Sequence, residues 1–541
     1  MNLSKLSLAV TVILSGTLAH NAYAIELYVD VKTKQLFAEP GPNRQLMGSF
    51  ERVEDKATSA LTPVPADEIS TIKQDLELKS NEIAALKEHA KEAEEFKVKL
   101  DDGIEFKSKD GNFKAAINGR MQVDSQVNVG DSLIPGCSKV TGFNNDSCTS
   151  NQLSDGVGIR RARLGVEGTF FHDYDYKFEY DFTRGNGTVG AGVTDAFLRW
   201  NVNNAFSIKA GSFKEPFSLE EATSNRYITF LERNMIVNTF VDNPNTYKVG
   251  IGANYVQERW QIGTSFQTEP VGANPSGSTS SASSVNTNGG SNRNNGSGDT
   301  GWEANARLTG LPWMESKTKF LHVGASGSYV DVNNQFAIDK DGNATNSGGF
   351  SFASFLNNNV DRTNILNTGN LTSKDGTKVI ESFTRFGAES ALVYGPWSAQ
   401  AEYIQTNISG KGYNNESLDG YYAYGSYFLT GESRAYKYKT GAWDRLKPNR
   451  NFDFHNGGWG AWEIAAGYDY INLNDGIIKG GRASTFKFGL NWYPNSHFRL
   501  MSNLVHVLDI NTGDVNSGGG RSKAFNNADL DMFEMRAQVD F

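Results

Sequence analysis

Phe533-Glu534-Met535-Arg536-Ala537-Gln538-Val539-Asp540-Phe541 closes the chain. Odd positions are apolar and even positions are polar or charged. Side chains alternate across a strand, so this segment has one greasy face and one wet face. A soluble β-protein could turn the greasy face toward a core. Here the wet face is ionic, and aromatics sit at the ends of the other face. That predicts an inverted sheet, with apolar side chains outside against lipid and polar side chains inside around water.

The totals agree. The chain has 541 residues, of which 38% are hydrophobic. A helical membrane protein needs about 20 largely apolar residues for each span. No such run follows the first twenty-odd residues. Aromatic content nonetheless reaches 12%, and glycines number 56. That mixture suits strands that are only half apolar.

Residues 1–24 read as a secretory signal: Lys5, an apolar run from Leu6 to Leu18, then Ala22-Tyr23-Ala24 for cleavage. Its removal takes one lysine and moves the formal charge from −9 to −10. The acidic balance argues against nucleic acid as a partner. Cys137 and Cys148 therefore meet an oxidising compartment, and a disulfide pinning one loop is expected. It would add roughly 2–3 kcal/mol. Two cysteines without suitably spaced histidines do not make a zinc site. No metal and no cofactor is expected.

Residues 25–65 read as a short periplasmic element with a linker, Thr58 to Pro65. Over 66–100 the period changes. Ile69, Leu76, Ile83 and Ala90 fall seven apart, as do Ile72, Lys79, Leu86 and Ala93. This predicts a coiled-coil helix, and Ile at early positions of both kinds favours three strands, hence a homotrimer.

From Asp101 the period is two. Phe113, Ala115, Ile117, Met121 and Val123 alternate with Lys114, Asn118, Arg120, Gln122 and Asp124. The next hairpin sets Leu164, Val166, Tyr176 and Phe178 against Arg161, Arg163, Lys177 and Glu179. Lysine or arginine at mid-bilayer costs roughly 2–4 kcal/mol, so the charged face must line water. Turns near His172, Gln257 and Gly395 are short, whereas 268–301 and 331–377 are long and rich in Gly, Ser and Asn. The latter read as surface loops. The fold class is all-β, with 101–541 forming a transmembrane antiparallel barrel of about 16 strands, 18 being the alternative.

Several stretches resemble the phosphate-selective porin O and P family. They include Arg160-Arg161-Ala162-Arg163-Leu164-Gly165, Thr194-Asp195-Ala196-Phe197-Leu198, Gly211-Ser212-Phe213-Lys214-Glu215-Pro216, Gly458-Trp459-Gly460-Ala461-Trp462 and Asn491-Trp492-Tyr493-Pro494. The terminal Phe541 also resembles the signal that marks bacterial outer-membrane barrels for insertion. The resemblance implies a trimeric 16-stranded channel in the outer membrane of a Gram-negative bacterium, its N-terminal segment in the periplasm. Anions or phosphate pass in some members. It also implies a constriction in which the arginine pair is Arg160 and Arg161 and the aspartate is Asp195. The family's lysine falls at Glu221, where a cation has become an anion.

By the same resemblance, Lys214 to Tyr247 leads into a loop folded into the pore. It carries Lys214, Glu221, Arg226 and Arg233, while Arg161, Arg163, Arg199, Lys209 and Lys248 sit on wet faces nearby. Clustered cations in a narrow lumen attract anions. The plainer reading is that these charges pair and hold the loop to the wall. The function expected is passive diffusion of small hydrophilic or anionic solutes, phosphate among them. The alternative is an envelope tether acting through the coiled coil. Of seven histidines one lies in the signal, and none of the others sits in a catalytic motif, so no catalytic residue is expected.

Overall fold

The computed structural model describes residues 25–30, 36–37, 39–50, 66–93, 96–99, 103–130, 153–183, 192–242, 247–268, 270–271, 301–332, 336–338, 344–347, 350–358, 360–373, 375–512 and 524–541. Cys137 and Cys148 and the signal segment lie outside them. The chain divides into two units, Met1–Glu92 and Ala93–Phe541.

In the first unit, Ile25–Asp30 pairs with Leu36–Phe37 on one edge and Arg44–Phe50 on the other, all antiparallel. The helix runs Ala66–Ala93, shorter than the 66–100 expected. Phe96–Lys99 is a strand instead, because Phe96 and Val98 alternate with Lys97 and Lys99. The seam residues Leu76, Ile83 and Leu86 are exposed.

The second unit is a closed antiparallel barrel of 16 strands. In order they are β1 Phe113–Val129, β2 Gly156–Phe170, β3 Tyr174–Asp181, β4 Val193–Asn201, β5 Phe206–Lys214, β6 Tyr247–Val256, β7 Trp260–Gln267 and β8 Trp302–Ser316. There follow β9 Lys319–Asp331, β10 Val379–Tyr394, β11 Trp397–Lys411, β12 Ser417–Phe428, β13 Ala461–Asp475, β14 Ile478–Tyr493, β15 Phe498–Asn511 and β16 Asp531–Asp540. Each pairs with its neighbour in sequence, and β16 closes on β1, from Asp531 opposite Val129 to Asp540 opposite Arg120. The rest of that β1 edge is taken by Ile104–Ser108, with Ile104 opposite Ile117.

The inverted sheet is present. On β1, Arg120, Gln122 and Asp124 are 6%, 0% and 2% exposed, whereas Met121 and Val127 are 46% and 50% exposed. The outward face ends in an aromatic girdle at the short-turn rim, where Trp200, Trp260, Trp313 and Trp397 stay exposed. Such belts mark the membrane–water boundary.

Two expectations change. The inward face does not simply line water. Much of it packs against chain folded into the barrel. Residues 350–371, expected in a surface loop, bury Phe350, Phe352, Leu356, Ile365 and Leu366 inside. They join Phe383, Ile404, Ile408, Leu418 and Ile471 from the wall in one apolar cluster. The inward positions near that end are apolar because protein, not water, covers them. The length asymmetry also breaks once. Connections at the short-turn end are brief at 171–173, 202–205, 257–259, 317–318, 395–396 and 494–497, but 429–460 is long.

Candidate functional site

The segment between β5 and β6 crosses the lumen and is almost wholly buried from Glu215 to Val241. It begins in a short helix, Leu219–Ala222, capped by the Ser218 hydroxyl, which accepts from the Glu221 amide at 3.2 Å. Wall side chains hold its backbone. Arg536 donates to the Leu231 carbonyl at 2.7 Å, Arg499 to Ile228 at 2.7 Å, and Arg385 to Phe240 at 2.8 Å. A buried carbonyl needs a donor, and wall arginines supply it.

A β-bulge sets the arginine pair. Gln122 faces Arg161 and Val123 faces Ile159, so Arg160 is the extra residue. A bulge re-aims side chains, and here two consecutive arginines both reach inward. Arg160 donates to Glu232 at 2.7 and 3.3 Å. Arg161 donates to Gln122 at 2.9 Å and lies 3.7 Å from the same Glu232. Arg536 approaches that carboxylate too, at 3.5 Å. Glu232 is thus the hub for three cations.

The other expected residues divide. Arg163 is held by Asp181 at 2.7 Å and Glu179 at 2.9 Å. Lys248 is held by Glu215 at 3.1 Å and by Glu303. Arg199 pairs with Asp175 on an outer, half-exposed part of the wall. Glu221 is clamped between Lys214 at 2.7 Å and Arg233 at 3.0 Å. The acidic residue at the family's lysine position is therefore neutralised where it stands.

Asp195, Lys209, Lys214 and Arg226 meet at a cavity of about 520 Å³ on the short-turn side of the infolded segment. Eight cationic side chains line it against four acidic side chains. Lys177 sits 3.0 Å from Asp195. Lys209 has no ion pair among the described residues; its ammonium rests 3.9 Å from the centre of the Phe213 ring. Among the described residues Arg226 pairs with Asp540 at 3.6 Å, a carboxylate that Arg445 holds more closely at 2.9 Å. The Phe213 ring face attracts the Lys209 ammonium without neutralising its charge.

Several contributors were not singled out from sequence. Arg120 and Lys177 stand on the wet face by parity, which was signal enough. Lys437 and Arg445 reach the cavity from 429–460, which carries no period-two pattern to place them. His322, fully buried, links the Tyr436 hydroxyl at 2.7 Å to Glu389 at 2.9 Å and ties that same segment to the wall. Among the described residues no group of three or more His, Cys, Asp or Glu side chains is placed to hold a metal.

A closed barrel with a lipid-facing apolar band, an infolded segment and a cationic lumen defines a channel of the bacterial outer membrane. The model of the family "Phosphate-selective porin O and P" matches residues 138–541, and the chain belongs to that family. Porin O of Pseudomonas aeruginosa is 26% identical over 446 residues, spanning 78% of this chain and 90% of the relative. An uncharacterised protein of Caulobacter vibrioides is 26% identical over 445 residues, spanning 81% and 76%. Among solved structures, an anion-selective porin from Comamonas acidovorans aligns at 10% identity with a TM-score of 0.44, over 79% of this chain and all of that one. The protein is an outer-membrane porin of a Gram-negative bacterium.

Proposed function

We propose that this porin prefers anions, and that Lys209 and Arg226 carry the preference. The observation behind the reading is the cavity wall, where cationic side chains outnumber acidic side chains two to one and Lys209 lacks an ionic partner among the described residues. Most other lumen cations are matched at close range to carboxylates and serve to hold the infolded segment. Fixed positive charge in a confined, partly dehydrated passage raises the local anion concentration. Arg226 adds a planar fork suited to passing oxyanions. Phosphate is one such solute. Glu221, neutralised by Lys214 and Arg233, does not repel it, but it also supplies none of the lysine contact implied by the resemblance.

We further propose a homotrimer, supported by the exposed Leu76, Ile83 and Leu86 of a heptad seam. Reversal potentials across planar bilayers in a potassium chloride gradient test the anion reading. A potential of anionic sign is expected, and a cationic one would sink it.

A further inference from the structure

The segment 429–460 passes through the rim of the barrel. Its first half lies inside, where Arg434, Ala442 and Trp443 are buried and Trp443 donates its indole N–H to Gln400. Arg445, bonded to the Ser496 carbonyl at 2.6 Å and to Asp540 at 2.9 Å, marks the crossing. The second half lies outside. The Phe452 amide donates to the Pro494 carbonyl at 2.7 Å, and its ring meets Trp492 edge-on at 5.2 Å. Trp492 shares the outward face of Phe486, Phe488 and Leu490, all exposed. The Trp459 carbonyl accepts both indole N–H groups of the outward pair, Trp462 at 3.1 Å and Trp492 at 2.9 Å.

Between these fixed points the chain makes a rigid turn. Asp453 and Gly458 pair through their backbones, and the Asp453 carboxylate accepts from the His455 and Asn456 amides at 2.9 and 3.0 Å. The turn presents Phe454 at 86% exposure and Trp459 at 73%. Large aromatics held out on a braced turn are costly in water and mark an interaction surface. The girdle of Trp200, Trp260, Trp313 and Trp397 runs around the same rim, and this turn continues it. The occupant that the continuity favours is lipid.

We propose that 450–460 is a foot set in the periplasmic leaflet of the outer membrane, with Phe454 and Trp459 at the boundary of acyl chains and headgroups. The foot fixes the inner half of the segment, whose Lys437 and Arg445 line the cavity. Membrane lipid thereby steadies one wall of the passage. The inference is independent of which ions that passage favours.

The full-length porin in phospholipid vesicles provides the test. The fluorescence lost on Trp459→Phe isolates the Trp459 signal. It should be quenched by phospholipids brominated near the headgroup end of the chain and ignored by aqueous iodide. Quenching by iodide would place the foot in water. Indifference to both quenchers would place it between subunits. Either result overturns the proposal. A second variant, Phe454→Asp, should leave the oligomer on gels unchanged but make single-channel current noisier. A quiet, unaltered current would refute the steadying role, while the quenching result stands whether or not that variant inserts.

Discussion

Arg536 on the last strand and Asp124 on the first barrel strand face one another across the closing seam, joined by two parallel bonds of 2.7 and 2.8 Å. Both are buried, and the third guanidinium nitrogen reaches the Leu231 carbonyl of the infolded segment. One side chain thus closes the barrel and holds the infolded segment. Arg536→Leu leaves Asp124 buried without its partner, which costs about 3–5 kcal/mol. The heat-modifiability transition on gels should fall accordingly. Arg536→Leu combined with Asp124→Leu should recover much of the loss, because apolar replacements of a buried pair are often near neutral.

Lys209 is predicted to act on selectivity rather than on stability. A unit charge about 4 Å from a passing ion in water is worth about 1 kcal/mol, roughly fivefold in a permeability ratio. Lys209→Glu removes that attraction and adds a repulsion. The reversal potential should move toward cations by at least that factor, while the thermal transition stays close to wild type.

Glu221 offers the opposite combination. Glu221→Lys restores the residue type implied by the family resemblance, but it sets a third cation beside Lys214 and Arg233. Loss of the shared buried carboxylate should destabilise the infolded segment by about 3–5 kcal/mol. The expected readout is a lower thermal transition and noisier current, without tighter block by phosphate. Tight phosphate block at unchanged stability would refute this account.

Asp453 makes the foot sensitive to acid. The Asn456 side chain, with the amides of Asn456 and His455, holds its carboxyl below the usual aspartate range. A depressed folded pKa stabilises the turn above the ordinary aspartate pKa of about 3.9, and the contribution is lost as pH falls through the folded value. The Trp459 signal should therefore hold from neutral pH to about 4 and change only below it. Asp453→Asn should abolish that acid-dependent change.

Strand alternation makes the barrel readable because lipid outside and polar groups inside impose period two on most of the wall. Arg161, Lys248 and Arg536 stand inward by parity alone. Their partners do not. Glu232, Glu215 and Leu231 come from a segment that crosses the lumen, where no periodicity is imposed, so the sequence carries no register for them. The same holds for Arg434 and Trp443. The buried Phe350 and Phe352 look like loop residues for want of flanking strands. Alternation reports which way a wall residue points and is silent on what comes to meet it.

The extra residue at Arg160 reverses an ordinary rule of sheet editing. Removing one amino acid from a strand usually throws all residues beyond the cut to the wrong side. Excising Arg160 would instead seat Ile159 beside Arg161 in unbroken alternation, since those two already face Val123 and Gln122. Here the shortened chain is the regular one, and what it forfeits is the nearest of the three guanidiniums on Glu232 rather than the wall.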